Sequence, residues 1–330
     1  MTTPNTTRTA GVTNPTGAAR PEGAEPGPRT GGSGASHGPL RRLLGAQPLG
    51  LGLSLPYILF LATVMAYPLG YAVYISFFDY VFTAPGMDMD HPFVGLENYR
   101  IALTDPRVLQ SFGNIAVFLV INVPLTVILS MVFASALNSV TRWAAAFRVA
   151  FYVPYVTASV SLIGVWMLLF SQDGLVNTIL GPLAPEPSWL VNDALAMPSI
   201  ALFVTWKQLG FYILLFLAAL QNVPGELYES ASTDGAGILQ RFRHITVPGL
   251  RATTMLVLIL SIITGANLFT EPYLLTSGGG PDGASTSPVL MIYQKGIQQG
   301  NPDVASAIGV MLVILVGVLS LASTRLTKER

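Results

Sequence analysis

QNVPGELYESASTDGAGILQRFRHITVPGLR, residues 221–251, stands between two long apolar runs in a chain of 330 residues that is 51% hydrophobic and 10% charged. A soluble domain carries about 25% charged residues, so this is the composition of an integral membrane protein. A polar insert of about thirty residues is far longer than a turn between adjacent helices requires. Its own residues give it structure. Pro224 opens a short helix with Glu226 and Glu229 near its start, where the helix dipole favours anions. Asp234-Gly235-Ala236-Gly237 breaks that helix, the two glycines supplying the backbone freedom for a sharp turn. A second short helix from about Ile238 sets Phe242 and Ile245 on one face before Pro248. The expected product is a bent helical pair with acidic groups at one end and Arg241, Arg243 and His244 at the other.

Around this insert lie six runs that reach the roughly twenty apolar residues a helix needs to cross the hydrocarbon core: 52–77, 112–137, 149–170, 199–220, 252–274 and 304–323. With the amino end inside, the inner segments hold Arg41, Arg42, Arg142, Arg148, Arg241, Arg243, Arg251, Arg325, Lys328 and Arg330. The outer loops then hold only Arg100, Arg107 and Lys295, as the positive-inside rule requires. Residues 1–45, rich in Gly, Pro, Ser and Thr, read as a disordered cytoplasmic tail. Residues 46–108 read as the first span and an outer loop, 109–323 as the main transmembrane domain with its loop 221–250, and 324–330 as a short cytoplasmic tail. The first run lacks a small-residue cleavage site and reads as an uncleaved anchor. Asn122, Pro124 and Pro154 mark helices that pack inward, the prolines as kinks, and Gly164, Ala218 and Ala219 read as helix contacts.

Composition and motifs exclude much chemistry. Equal numbers of acidic and basic residues argue against nucleic acid, and the absence of cysteine removes disulfides, thiolate metal sites and cysteine nucleophiles. The histidines, His37, His91 and His244, fall outside the spans, and neither H-E-x-x-H nor G-x-S-x-G occurs, so no enzyme, metal or cofactor is expected. Lys207, Lys295 and Lys328 are followed by Gln, Gly and Glu, so there is no phosphate-cradling lysine loop. An ion-coupled secondary carrier is the rival by fold class, but it would show an inverted repeat and buried ion-binding groups.

The pattern Glu229-Ser230-Ala231, three residues, Gly235, nine residues, then Ile245-Thr246-Val247-Pro248 resembles the EAA loop of the membrane subunits of binding-protein-dependent ABC importers. Ser230 stands where the family has the first of two alanines and Val247 where it has leucine, both modest changes in volume. The resemblance implies an all-α integral membrane protein of six transmembrane helices, the type I ABC importer permease fold, with amino and carboxyl ends cytoplasmic and a location in the plasma membrane. It implies that loop 221–250 is the coupling element gripped by ATP-binding subunits, two per complex. Glu229 would make a polar contact to them, Gly235 would shape the turn, and Ala231 and Ala236 would allow close approach; Asp234, Ile245 and Pro248 belong to the same set. A second permease subunit, a different chain, and an extracytoplasmic sugar-binding protein complete the implied assembly, which works by alternating access.

NLFTEPYLLTSGGGPDGASTSPVLMIYQKGI, residues 267–297, is similar to the corresponding segment of carbohydrate permeases of the maltose and multiple-sugar type, and FVGLENYRIALTD, residues 93–105, adds to the likeness. Taken alone, Gly278, Gly279 and Gly280 would be a flexible outer turn. A sugar path needs hydrogen-bonding groups and aromatic faces around a shared cavity. The resemblance matches Phe211 and Asn267 to sugar-contacting positions; Gln208, Tyr212 and Tyr155 join them by polarity and place, and each also fits a packing role. In this family one of the two membrane subunits can carry the sugar site alone. Another polar solute, such as glycerol phosphate or a polyamine, is the alternative cargo. Lys207 and Glu271 lie within spans at depths differing by roughly 6 Å at about 1.5 Å per residue. They are expected to pair near the outer gate, the alternative being Lys207 snorkelling to the interface.

Overall fold

The computed structural model describes residues 48–82, 90–139 and 142–328, with side chains from Leu53 to Arg325. The expected tail 1–45, with Arg41 and Arg42, and the terminal Arg330 lie outside them. The chain forms two compact units, residues 1–59 and 60–330, and the described part of the first is helical from Pro48. In the second unit helices dominate, and among the described residues there is no strand beyond one isolated bridge between Phe78 and Phe93.

Among the described residues, four helices are long and apolar enough to cross a bilayer: Leu53–Ile75, Pro106–Ser139, Ala196–Leu220 and Pro302–Arg325. Two bent pairs supply the remaining spans, Ala144–Val156 with Ser159–Leu169 at 97° and Ile238–Gly249 with Arg251–Ala266 at 71°. The six-span reading stands, with two corrections. The run 149–170 is not one helix. Thr157 and Ala158 are both extended, and the Thr157 side chain turns back to the Val153 carbonyl at 2.7 Å, ending the first half. Pro154 lies one turn before this break, whereas Pro124 sits inside an uninterrupted helix of 34 residues, so only one of the two prolines accompanies a sharp bend. The run 252–274 also stops early, at Ala266, and Thr270–Leu275 is a separate short helix.

Span four, Ala196–Leu220, is the pillar of the bundle: 61% of its apolar window is buried, against 33% for span two and 28% for span six. Phe203, Ile200 and Val204 on it join Ile115, Phe118 and Leu275 in one core, and Leu209, Ile213 and Phe216 join Met131 and Val257 in another nearer the loop. Between these layers Asn122 of span two, buried, donates to Thr205 Oγ1 at 2.8 Å, and Thr205 donates in turn to the Ala201 carbonyl at 2.7 Å. Such inter-helix bonds in a membrane contribute about 0.6–2 kcal/mol.

Small residues act where helices cross, and of the three expected only Ala219 is among them. Gly164 faces open space and Ala218 is exposed, while Ala219 packs against the core nearer the loop. The closest crossing is at Gly210, where a Cβ would lie 2.0 Å from the Phe151 carbonyl oxygen and 2.8 Å from the Tyr152 Cα. Helix Ala144–Val156 therefore rests backbone to backbone on span four. At Gly265 a Cβ would lie 2.8 Å from side-chain atoms of Phe118 and Leu119, which have some room to move. Gly210→Ala is therefore the more damaging change: overpacking costs about 1–3 kcal/mol, and here backbone must shift. A lower melting temperature of purified Gly210→Ala protein, with a smaller loss for Gly265→Ala, checks this; equal melting of wild type and Gly210→Ala would contradict it.

Candidate functional site

Loop 221–250 folds from its own sequence. Its first helix, Gly225–Thr233, begins after Pro224 and ends in a Schellman turn: Ala236 N–H donates to the Ala231 carbonyl at 2.8 Å and Gly235 N–H to the Ser232 carbonyl at 3.1 Å. That geometry needs a left-handed residue, and Gly235 has φ +78° with nothing within 4 Å of a Cβ built on it. The demand for glycine is thus conformational rather than steric. The second helix starts at Ile238; Gln240 reaches back to accept from Gly237 N–H at 2.9 Å, one half of a capping box. Two side-chain bonds clasp the arms: Arg241 to Ser232 Oγ at 2.7 Å and Tyr228 OH to Thr246 Oγ1 at 3.0 Å.

The arms enclose a cleft of about 420 Å³. Of the expected coupling residues, Ala231, Asp234, Gly235, Ala236 and Ile245 line it, beside Arg241 and His244. Glu229 and Pro248 are not part of that lining; both are exposed, and Glu229 makes no ion pair among the described residues. Sequence reasoning left out Ile238 and Leu239, 82% and 78% exposed at the tip. Two adjacent aliphatic residues directly after the turn Asp234–Gly237 were the available signal.

Along the spans, Tyr155 stacks on Phe211 with ring centroids 4.9 Å apart and planes 13° from parallel, and Phe211 meets Tyr212 edge-on at 5.3 Å. The crossing at Gly210 sets this stack, since it brings the helix that carries Tyr155 against the helix that carries Phe211. Tyr155 is 37% exposed, whereas Tyr212 is buried in the core nearer the loop. Gln208 is half-buried and makes no side-chain hydrogen bond among the described residues, and Asn267 is exposed, its amide donating to the Ile263 carbonyl at 2.8 Å.

Lys207 and Glu271 meet. Nζ lies 3.4 Å from Glu271 Oε1, with the two side chains 14% and 12% exposed, and it also donates to Ser159 Oγ. Ser159 is the first residue after the break in span three, and Glu271 lies in the first turn of Thr270–Leu275 after the early end of span five.

At the end of the bundle opposite the loop, residues 277–283 are built rather than slack. Ser277, Gly278, Gly279, Gly280, Asp282 and Gly283 all have positive φ. A Cβ on Gly279 would lie 2.2 Å from Thr286 Oγ1, and one on Gly280 2.7 Å from Ser285 Oγ. The flexible turn that these glycines would suggest taken alone is ruled out by these contacts and by the bonds that fasten the segment. Gln110 donates to the Asp282 carbonyl at 3.0 Å, Asn114 to the carbonyls of Gly283 and Thr286 at 2.8 and 3.0 Å, and Thr276 shares a hydrogen bond with Ser285 at 2.7 Å. Nearby, Lys295 pairs with Asp105 at 2.7 Å. Burial raises the Asp105 pKa, but the Lys295 bond and the backbone N–H groups of Arg107 and Val108 outweigh it, leaving the carboxyl below its ordinary value.

The helical bundle and its clasped polar loop are those of a known family of membrane transport components. The chain belongs to the binding-protein-dependent transport system inner membrane components, whose family model matches residues 106–329. It is 34% identical over 276 residues to the arabinooligosaccharides transport system permease protein AraP of Halalkalibacterium halodurans, covering 82% of this chain and 85% of that one. It is 34% identical over 229 residues to the trehalose/maltose transport system permease protein MalF of Thermococcus litoralis, covering 69% and 77%. In fold it is similar to a chain of a bacterial ABC transporter that imports the acidic polysaccharide alginate, with a TM-score of 0.72, 20% identity, and 88% and 98% of the two chains covered. It is a multi-pass protein of the plasma membrane with the fold of an ABC importer permease.

The ion pair yields a test. Lys207→Ala strands a largely buried carboxylate, a kind of change that costs about 3–5 kcal/mol where burial is complete and less here. The purified protein should melt earlier than wild type, and Lys207→Met combined with Glu271→Gln should recover most of the loss. Unchanged melting of Lys207→Ala would show the pair to be idle.

Proposed function

We propose that this chain is one membrane-spanning subunit of an ATP-driven ABC importer for a sugar or small oligosaccharide, working by alternating access. The observation that carries the reading is the clasped loop 221–250, in a chain that belongs to a transport family and has no lysine loop for phosphate. Both chain ends and this loop face the cytoplasm, as the distribution of lysine and arginine favours. Two ATP-binding subunits grip the loops of this chain and of a second permease subunit, a different chain. An extracytoplasmic binding protein delivers cargo to the opposite end. Sugar is favoured because the relatives named above carry arabinooligosaccharides and trehalose or maltose.

At the loop, Ile238 and Leu239 enter the ATPase as an apolar tip while Glu229 offers it a carboxylate; the cleft with Ala231, Asp234, Gly235, Ala236 and Ile245 gives the tip its shape, and Pro248 leads back to the span. In the membrane, the stacked Phe211 and Tyr155 offer a sugar ring an aromatic face, with Tyr212 supporting them from the core. Gln208 and Asn267 supply amides to its hydroxyls. Lys207 and Glu271 form a gate pair near the outer end. Binding of ATP by the partners draws the loops together and turns the spans outward, and hydrolysis lets them return.

The test is uptake by proteoliposomes holding the complete complex and its binding protein. Uptake should need ATP inside and survive ionophores that collapse ion gradients; uptake driven by a gradient without ATP would sink the reading. Gly235 refines it. Since a Cβ there meets nothing, Gly235→Asn, tolerant of left-handed backbone, should keep most transport, while the β-branched Gly235→Val should lose it with insertion intact.

A further inference from the structure

Beside the fastened segment 277–283 lies a polar cleft of about 400 Å³, whose side-chain lining includes Arg107, Gln110, Asp282, Thr286 and Gln294. The volume falls in the range of small-molecule sites. Of the three cations at this end, Arg100 pairs with Glu97 and Lys295 with Asp105; Arg107 makes no ion pair among the described residues, and it lines the cleft. The two amides are held in place, since Gln110 donates to the Asp282 carbonyl and Gln294 to the Gly278 carbonyl, each at 3.0 Å. Each fixed amide keeps its own carbonyl oxygen as an acceptor and one further N–H.

We propose that this cleft binds a sugar ring, as an entry subsite separate from the aromatic stack in the spans. The charges decide the ligand class. Asp282 opposes an anion and Arg107 opposes a cation, so the fit is to a neutral solute. The planar groups of Arg, Asp and Gln, donors and acceptors side by side, match the alternating needs of neighbouring hydroxyls, and Met291 gives the lining an apolar contact. The segment is organised before any ligand arrives: the hydroxyl–hydroxyl bond of Thr276 and Ser285 and the amides of helix Pro106–Ser139 hold it, and the positive φ of the two non-glycine residues Ser277 and Asp282 persists only where surrounding structure over-determines it. A site already in shape loses little to ordering on binding. The inference rests on the importer reading, which puts this end outside, where cargo arrives.

The test uses the complete complex in nanodiscs without its binding protein, exposed to maltotriose and arabinotriose each carrying a diazirine at the reducing end. After irradiation, adducts should map to peptides containing Arg107 and Gln110 and to those containing residues 282–294, and unlabelled sugar should compete them away. Arg107→Ala with Gln294→Ala should lower adduct yield about tenfold, the loss of about 1.4 kcal/mol, without moving the binding-protein concentration that gives half-maximal ATP hydrolysis. Wild-type adducts confined to the spans, or none, would overturn the proposal whether or not the variants fold. So would variants that shift only the binding-protein requirement, since the cleft would then seat protein. ATP-driven uptake measured on the same preparation keeps a failure here distinct from a failure of the importer reading.

Discussion

A cation carried by the pillar helix governs how the broken spans are arranged. Lys207 sits on the unbroken, mostly buried span four, where a charge is expensive unless partnered. Its partners come from the two places where other spans stop being helical: Ser159 just after the break in span three and Glu271 just after the early end of span five. Both are at the starts of helices, whose positive dipole ends repel an ammonium and favour a carboxylate. Glu271 therefore answers two needs together, compensating Lys207 and standing in the first turn of Thr270–Leu275. The arrangement binds two discontinuities to one rigid element.

One turn further along span four, Gly210 holds the other half of span three. Lys207 fastens the helix after the 97° bend, and Gly210 lets the helix before it lie against the backbone. Phe211, next in sequence, then receives Tyr155 as a stacked partner. Three residues of a single helix, Lys207, Gly210 and Phe211, thus set the position of both halves of span three and of the Tyr155–Phe211 stack, whose exposed tyrosine face suits a sugar. A bent span is positioned by its neighbour at two points, and removing either leaves the bend without a reference.

Much of this was legible from residue types alone, and the remainder depends on partners that a linear reading does not display. The helix after Pro224, the turn at Gly235 and the restart at Ile238 follow from local propensity and backbone freedom, so they were readable. The reach from Lys207 to Glu271 followed from rise per residue. Pro154 and Pro124 look alike in sequence, yet only the first lies near a break, because the extended Thr157–Ala158 step has Ser159 and Lys207 waiting beyond it. Gly210 carries no local signal, since its neighbour is a helix some sixty residues earlier. The glycines at 278–280 read as slack because glycine permits disorder as readily as it permits a fixed left-handed backbone; what fixes it here is the amides of Gln110 and Asn114, from a distant part of the chain.

The loop and the ion pair share a mechanical connection. The second arm of the loop, Ile238–Gly249, is joined to Arg251–Ala266 through Leu250, which is fully buried and has its N–H bonded to the Thr246 carbonyl at 3.0 Å. The 16-residue helix that follows is about 24 Å long at 1.5 Å per residue and ends at Ala266, three residues lying between it and Thr270. If a motor subunit displaces the loop, the 71° corner at Leu250 and the short segment 267–269 are the only non-helical joints between that push and Glu271. A stiff rod between two joints delivers displacement rather than absorbing it. The far joint opens onto an ion pair of 3.4 Å, longer than the 2.7–2.9 Å usual for a charge-assisted bond. A contact already loose, between a fixed cation and a carboxylate at the end of a rod, is one that small motion makes or breaks.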